Sequence, residues 1–388
     1  MTSYWVTVST IYMTLPVYFE VTGFSKTEIG ILLAIGTMSG AFSSLILGWL
    51  SDRIGRKVLL VFSLFSYAIS FLLFYFFQGF SFFIITRLIE GIGAFSTPAL
   101  STAIIANISP LKKYGQAMGL YESVAGAGKI VGPLIAGLIL TIGSFSAYFI
   151  FCSTFVFISA IIVLILLNES VARQNYAQSE LKFNTKCTQL NSRESLIKNT
   201  LKPLVFFYIA IFLRSLGQTA VSPLLSLFVM ERLGKSTMIE ISMLFCIQGC
   251  MAMVLSPIAG KLSDKTGRKK PLFVATLLLS VATLFYIYCV SLVQIFIITL
   301  INGAASAFIT PLTNAYLADL LTATGHSSLS GAWFGIAQFL SVQTFSFGSV
   351  FGGYVVDLFG YNELFLTAST FSLISLLPLV KVPAMCYK

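Results

Sequence analysis

The sequence predicts an all-α integral membrane protein of twelve transmembrane helices in two pseudo-symmetric six-helix bundles, and three observations predict it. Of its 388 residues 57% are hydrophobic and 10% charged, where a soluble domain has about half and about a quarter. Apolar runs of about 20 residues, the length that crosses a bilayer as a helix, recur along the whole chain. The second half of the chain also repeats motifs of the first, most of them at the offset that carries Gly48 onto Gly260. This composition excludes a large soluble domain, a disordered chain, a collagen-like fibre and a secreted disulfide scaffold.

Taken in order, the apolar runs fall near 3–20, 27–50, 58–77, 81–106, 115–141 and 145–167, then 203–230, 238–262, 271–290, 293–318, 327–357 and 363–380. Asn168 to Lys202 separates the two sets and carries Glu169, Arg173, Glu180, Lys182, Lys186, Arg193, Glu194, Lys198 and Lys202, which hydrocarbon does not accept. The expected organisation is an N-terminal six-helix bundle over 1–167, a cytoplasmic linker over 168–202 and a C-terminal six-helix bundle over 203–388. With the amino terminus cytoplasmic, 18 Lys and Arg fall inside, three outside (Lys26, Arg232, Lys235) and three within spans. That asymmetry places both termini and the linker in the cytoplasm of a multi-pass cell-membrane protein. It also assigns the net charge of +10 to cytoplasmic loops rather than to nucleic acid. The first span has no basic leader or small-residue cleavage site and is expected to be retained. About 17 residues precede Glu20, roughly 26 Å of helix against a core of roughly 30 Å, so this span is short or starts upstream.

The six cysteines are scattered without CxxC spacing and the chain has one histidine, His326, so no metal site and no cofactor is expected. Cys246 and Cys250, four apart, read as packing residues, and His326 as a solvated loop residue. No GxxxxGKS/T loop is present, which points away from ATP hydrolysis. Without clustered His, paired catalytic acids or a nucleophile motif, the chain is not expected to be an enzyme.

The duplication is most explicit at Gly48 to Lys57, GWLSDRIGRK, and Gly260 to Lys269, GKLSDKTGRK. The same offset maps Gly119 onto Gly331 and Asn107 onto Asp319, and a slightly larger one aligns CSTF at Cys152 to Phe155 with ASTF at Ala368 to Phe371. The decapeptides are expected in short loops after spans two and eight, where glycine permits a tight reversal and the basic residues stay in the cytoplasm. Here the sequence resembles the major facilitator superfamily of secondary transporters, whose signature loop has the form GxLaDrxGRK, and the resemblance covers essentially the whole chain. It implies that Asp52, Arg53, Arg56, Asp264 and Arg268 belong to a cytoplasmic gate, not to the substrate site. Asp319, at the cytoplasmic end of span ten, reads as a structural or gate group.

A second resemblance to the family is ITRLIEGIGAF, Ile85 to Phe95, where Arg87 fits the family pattern and Glu90 replaces its glutamine. An ionisable group at that depth costs roughly 2.5–3.5 kcal/mol on insertion scales and needs a partner or a wet cavity. Arg87 and Glu90, three apart on one face, either satisfy each other or couple transport to protons. GKIVGPLIAG, Gly128 to Gly137, resembles an element of the drug and proton antiporter branch. Gly128, Gly132 and Gly137 admit close helix packing and Pro133 bends the span.

Lys129 lies about 21 Å along its helix from Gly115, and Arg214 is similarly far from Lys202. Both are too deep for easy snorkelling and are expected either to face the central cavity or to pair between helices. Glu122 precedes Lys129 on the same face, nearer the cytoplasm, where gate and cavity roles are equally open. Gln218, Gln248, Asn302, Asn314 and Gln338 can contact solute or join helices. Spans three, six, nine and twelve have no ionisable residue in their interiors and are expected to face lipid.

The expected function is secondary active transport of a small organic solute by alternating access, as proton-coupled efflux of drugs or metabolites, with a monomer as the unit. The alternatives are an uptake carrier for an organic anion or sugar-type metabolite and, in another class, a membrane receptor that binds a solute without moving it.

Overall fold

A computed structural model describes residues 2–108, 114–167, 202–234, 237–323 and 330–383. Of the expected linker only Lys202 falls among them; His326 lies outside, as do the side chains of Asp52 and Asp264. Among the described residues every regular element is helical. The N-terminal half gives α1 (Thr2–Val21), α2 (Lys26–Ile54), α3 (Arg56–Phe76), α4 (Phe80–Ile108), α5 (Tyr114–Ile142) and α6 (Phe145–Leu166). The C-terminal half gives α7 (Lys202–Val221), α8 (Leu225–Leu233), α9 (Met238–Thr266), α10 (Lys269–Phe285), α11 (Leu292–Ala323), α12 (Ser330–Phe359), α13 (Tyr361–Ile374) and α14 (Leu376–Lys381).

Among the described residues eleven segments are long and apolar enough to cross a membrane, α7–α8 and α13–α14 each forming one of them. The remaining helix, α1, is 20 residues long and rich in Thr and Tyr. Thr7, Thr10 and Thr14 on it are buried, so neighbouring helices shield its polar groups. The run expected over 203–230 is broken at Ser222–Leu224, where Pro223 cannot donate the helical hydrogen bond.

The decapeptides differ from the expected loops. Gly48 to Ile54 and Gly260 to Thr266 are the last turns of α2 and α9, and the chain reverses at Gly55 (φ 116°) and Gly267 (φ 80°). One glycine in that conformation turns the chain, leaving the charged residues helical.

The repeat reappears in local structure. Ser25 and Glu28 exchange capping bonds at the start of α2, Ser25 N–H donating to Glu28 at 2.9 Å and Glu28 N–H to Ser25 Oγ at 3.2 Å. Thr237 and Glu240, the repeat counterparts of Ser25 and Glu28, form the same capping box on α9. Ser153 Oγ donates to the Ala68 carbonyl at 2.9 Å, tying α6 to α3, and Ser369 Oγ donates to the Ser280 carbonyl at 2.8 Å, tying α13 to α10. These serines sit in the CSTF and ASTF tetrapeptides; such bonds join helices where water is absent.

The chain forms two compact units. The first comprises Met1–Thr10, Ile35–Gly132 and Ile142–Ile197. The second comprises Ile11–Ala34, Pro133–Thr141 and Lys198–Lys388, and its core gathers Leu204, Phe207, Leu272, Leu279, Leu312 and Tyr316. Exposed apolar residues at helical spacing mark one face of α6 (Ile158, Ile161, Ile162, Ile165) and one face of α10 (Val274, Leu277, Leu278, Val281). Such a face is stable only against hydrocarbon or another apolar surface.

Candidate functional site

Three polar assemblies interrupt the apolar helices. The deepest lies in the first unit. Arg87 and Glu90 on α4 are 1% and 2% exposed and form an ion pair, as the i, i+3 spacing allows. The guanidinium lies over Gly36 of α2, where a Cβ would collide with it. Gly91 in turn presses against the Gly36 carbonyl and Ser39, so α2 and α4 approach almost backbone to backbone around the pair. Glu90 lies within electrostatic reach of Tyr67 on α3. The Tyr67 hydroxyl is buried and has no hydrogen-bond partner among the described residues. Tyr4 stands beside it with ring centroids 5.7 Å apart and donates to the Ala94 carbonyl. Chemically this is a sealed acid–base pair with an uncommitted phenol next to its carboxylate.

Lys129 is exposed, its Nζ 5.2 Å from the centre of the Trp5 ring, a cation–π contact within the first unit. Trp5 packs edge-on to Tyr121 at 6.1 Å, and Glu122 beside it is exposed. Neither Lys129 nor Glu122 has an ion-pair partner among the described residues. Gly128 and Gly132 let α5 rest on the backbone of α1 at Trp5 and Val6, and Ser9 Oγ donates to the Gly128 carbonyl at 3.1 Å. Pro133 is inside α5, and Gly137 meets Ser242 and Ile239 of α9.

In the second unit, half-buried Arg214 of α7 donates to Thr313 Oγ1 of α11 at 3.3 Å. One turn on, Gln218 Nε2 donates to Asn302 Oδ1 at 3.4 Å, and Asn302 Nδ2 to Thr283 Oγ1 at 3.2 Å. Asn302 occupies the repeat position of Glu90, so the C-terminal half carries a neutral amide where the N-terminal half carries an acid.

The signature residues divide. Arg268 Nε pairs with Asp319 at 2.7 Å. Arg56, its counterpart in the first copy, donates to the Ala103 carbonyl at 2.6 Å, one turn before Asn107, the repeat counterpart of Asp319. Arg53 lies over the Trp49 ring at 4.1 Å.

A third assembly has no precedent in the sequence reading. At the junction of α1 and α2, Lys26 pairs with Glu20 and, at 2.6 Å, with Glu231 at the end of α8. Asp357, near the end of α12, caps the start of α2: it accepts from the Lys26 N–H at 3.1 Å, the Thr27 N–H at 2.7 Å and Thr27 Oγ1 at 2.6 Å. Tyr361 donates to Glu231 at 3.3 Å. Gly30 and Gly353 bring α2 and α12 into backbone contact beside this cluster. All these residues belong to the second unit. The only sequence signal for it is that the few charges away from the basic loops sit at matching helix ends.

Comparison with known proteins follows the same lines. The family model described as Major Facilitator Superfamily matches residues 1–209 and 207–385. "Multidrug resistance protein 2" of Bacillus subtilis is 27% identical over 87% of this chain and 81% of its own length. "Multi-drug resistance efflux pump PmrA" of Streptococcus pneumoniae is 24% identical over 95% and 92%. "Multidrug resistance protein MdtG" of Klebsiella pneumoniae is 28% identical over 92% and 84%. In structure the chain is similar to the D-xylose-proton symporter (TM-score 0.76, 16% identity, 98% of this chain and 95% of that one). It is also similar to the nucleoside transporter NupG (TM-score 0.79, 13% identity, 98% and 97%), and at these identities both likenesses speak to fold alone.

Proposed function

The chain belongs to the Major Facilitator Superfamily and is a multi-pass membrane transporter, and from that premise we propose that it exports amphipathic organic compounds in exchange for protons. The names of three relatives, a resistance protein, an efflux pump and a second resistance protein, support export of such compounds. The observation that carries proton coupling is the Arg87–Glu90 pair. A carboxylate removed from water can take a proton only if its counter-cation is provided for, so protonation of Glu90 and the fate of Arg87 are linked.

In this reading residues 1–167 and 203–388 form the two bundles, 168–202 is the linker, and both termini are cytoplasmic in the cell membrane of a monomeric carrier. Asp52, Arg53, Arg56, Asp264, Arg268, Glu122 and Asp319 belong to the cytoplasmic gate, and Lys129 and Arg214 to the solute pathway. The cluster of Glu20, Lys26, Glu231 and Asp357 then lies on the outer face and holds it shut. Alternating access requires each gate to open in turn, and ion pairs that keep partial access to solvent suit that because each contributes little.

The test is purified protein in liposomes under an imposed pH gradient, screened with lipophilic cations, organic anions and sugars. Gradient-driven movement of an amphipath supports the reading; binding without movement of any compound identifies a receptor and overturns it.

A further inference from the structure

Two arginines interrupt the apolar helices under different terms. The charge of Arg87 is met by Glu90 within the same helix. Among the described residues the hydrogen-bond partner of Arg214 is the hydroxyl of Thr313, at 3.3 Å, and that hydroxyl gives its own proton to the Ile309 carbonyl at 2.7 Å. Among the described residues no carboxylate reaches Arg214. A guanidinium keeps its charge in any protein environment and offers five N–H groups in a planar fork, most of them without an acceptor among the described residues. The surroundings supply donors and neutral dipoles instead: the Gln218 amide one turn along the same face has a second hydrogen to give beyond the one directed at Asn302.

Arg214 lies roughly 18 Å along α7 from Lys202. In a hydrocarbon layer of roughly 30 Å this is out of reach of a lipid headgroup from either face.

We infer that Arg214 is the anchor for an anionic group on the transported compound, a carboxylate or phosphonate held by the guanidinium fork with Gln218 beside it. This rests on the export reading and narrows its substrate class to amphipathic organic anions. The anion completes an ion pair that the protein leaves half made, as Glu90 does for Arg87.

The experiment measures binding of 1-naphthylacetate and its neutral isostere 1-naphthylacetamide to the purified full-length protein, with and without a large excess of chloride. The readout is the ratio of the two affinities, because a general loss of fold lowers both and leaves the ratio unmoved. Wild type is expected to favour the carboxylate by about tenfold or more, as a charge-assisted fork does. Arg214→Lys keeps part of that preference and Arg214→Gln removes it. Equal affinities in wild type, an unchanged preference in Arg214→Gln, or a preference erased by chloride each overturn the inference. Transport of ethidium and of 1-naphthylacetate by wild type in liposomes under a pH gradient separates the two readings: export with no carboxylate preference sinks the anion site alone, whereas no transport of either charge class sinks the export reading.

Discussion

Replacing Asp357 with Asn tests the α1–α2 cluster by one atom. Its two carboxylate oxygens divide their work, one on the Lys26 N–H and the other on the Thr27 N–H and hydroxyl. Asparagine keeps one of those acceptors and turns an amide donor toward the rest. Loss of a cap bond costs roughly 0.5–2 kcal/mol, and loss of a negative charge at a helix N-terminus roughly 0.3–1 kcal/mol. Asp357 is exposed, so the lower part of each range applies and the sum is about 1–2 kcal/mol. Docking of α2 on α12 should therefore weaken by roughly 5- to 30-fold. It is not abolished, because Ser349 Oγ still donates to the Gly30 carbonyl at 3.2 Å. Electron–electron resonance between spin labels at Thr22 and Asn362, both exposed, reads the change in a background with the six native cysteines replaced by serine. The expected result is a longer-distance population growing at the expense of the short one. An unchanged distance distribution refutes the capping argument.

The other expectations concern stability, read as thermal unfolding of the purified protein. Gly36→Ala places a methyl on the Arg87 guanidinium and pushes it off Glu90. Breaking a buried pair costs about 3–5 kcal/mol, an upper bound because the guanidinium can shift. Gly126→Ala meets nothing within 4 Å and should gain up to about 1 kcal/mol of helix propensity; equal melting temperatures for the two variants contradict the packing described for α2 and α4. Gly48→Ala and Gly260→Ala, also helical and in open space, should likewise gain up to about 1 kcal/mol each. Arg268→Ala removes the ion-pair partner at 2.7 Å from the Asp319 carboxylate, 5% exposed, at a cost of about 1–3 kcal/mol. Adding Asp319→Asn should recover most of that loss, and no recovery breaks the pairing.

Much of the architecture is legible in the sequence because hydrocarbon imposes a length and a composition on each helix, and the spans fall within a few residues of the apolar runs. The Arg87–Glu90 pair is legible as one of two options because both residues share a helix face. What the sequence hides is any partnership between helices. Arg268 and Asp319 each stand out without being joined, since all of α10 and most of α11 separate them. Lys26 counts only as an outside charge. Its contacts at Glu231 and Asp357 lie in the other half of the chain, and helix-end charges look solvated until their neighbours are known. The decapeptides read as loops because charges ordinarily end a membrane span; the helix instead continues past the apolar stretch until a glycine turns it.

The most direct measurement of the central claim is transport by Glu90→Gln in liposomes, run both under a pH gradient and as gradient-free counterflow. Gradient-driven export should be lost while counterflow persists, because the neutral amide fixes Glu90 in the equivalent of its protonated form but leaves the carrier able to exchange solute. Gradient-driven export at the wild-type rate would contradict that claim.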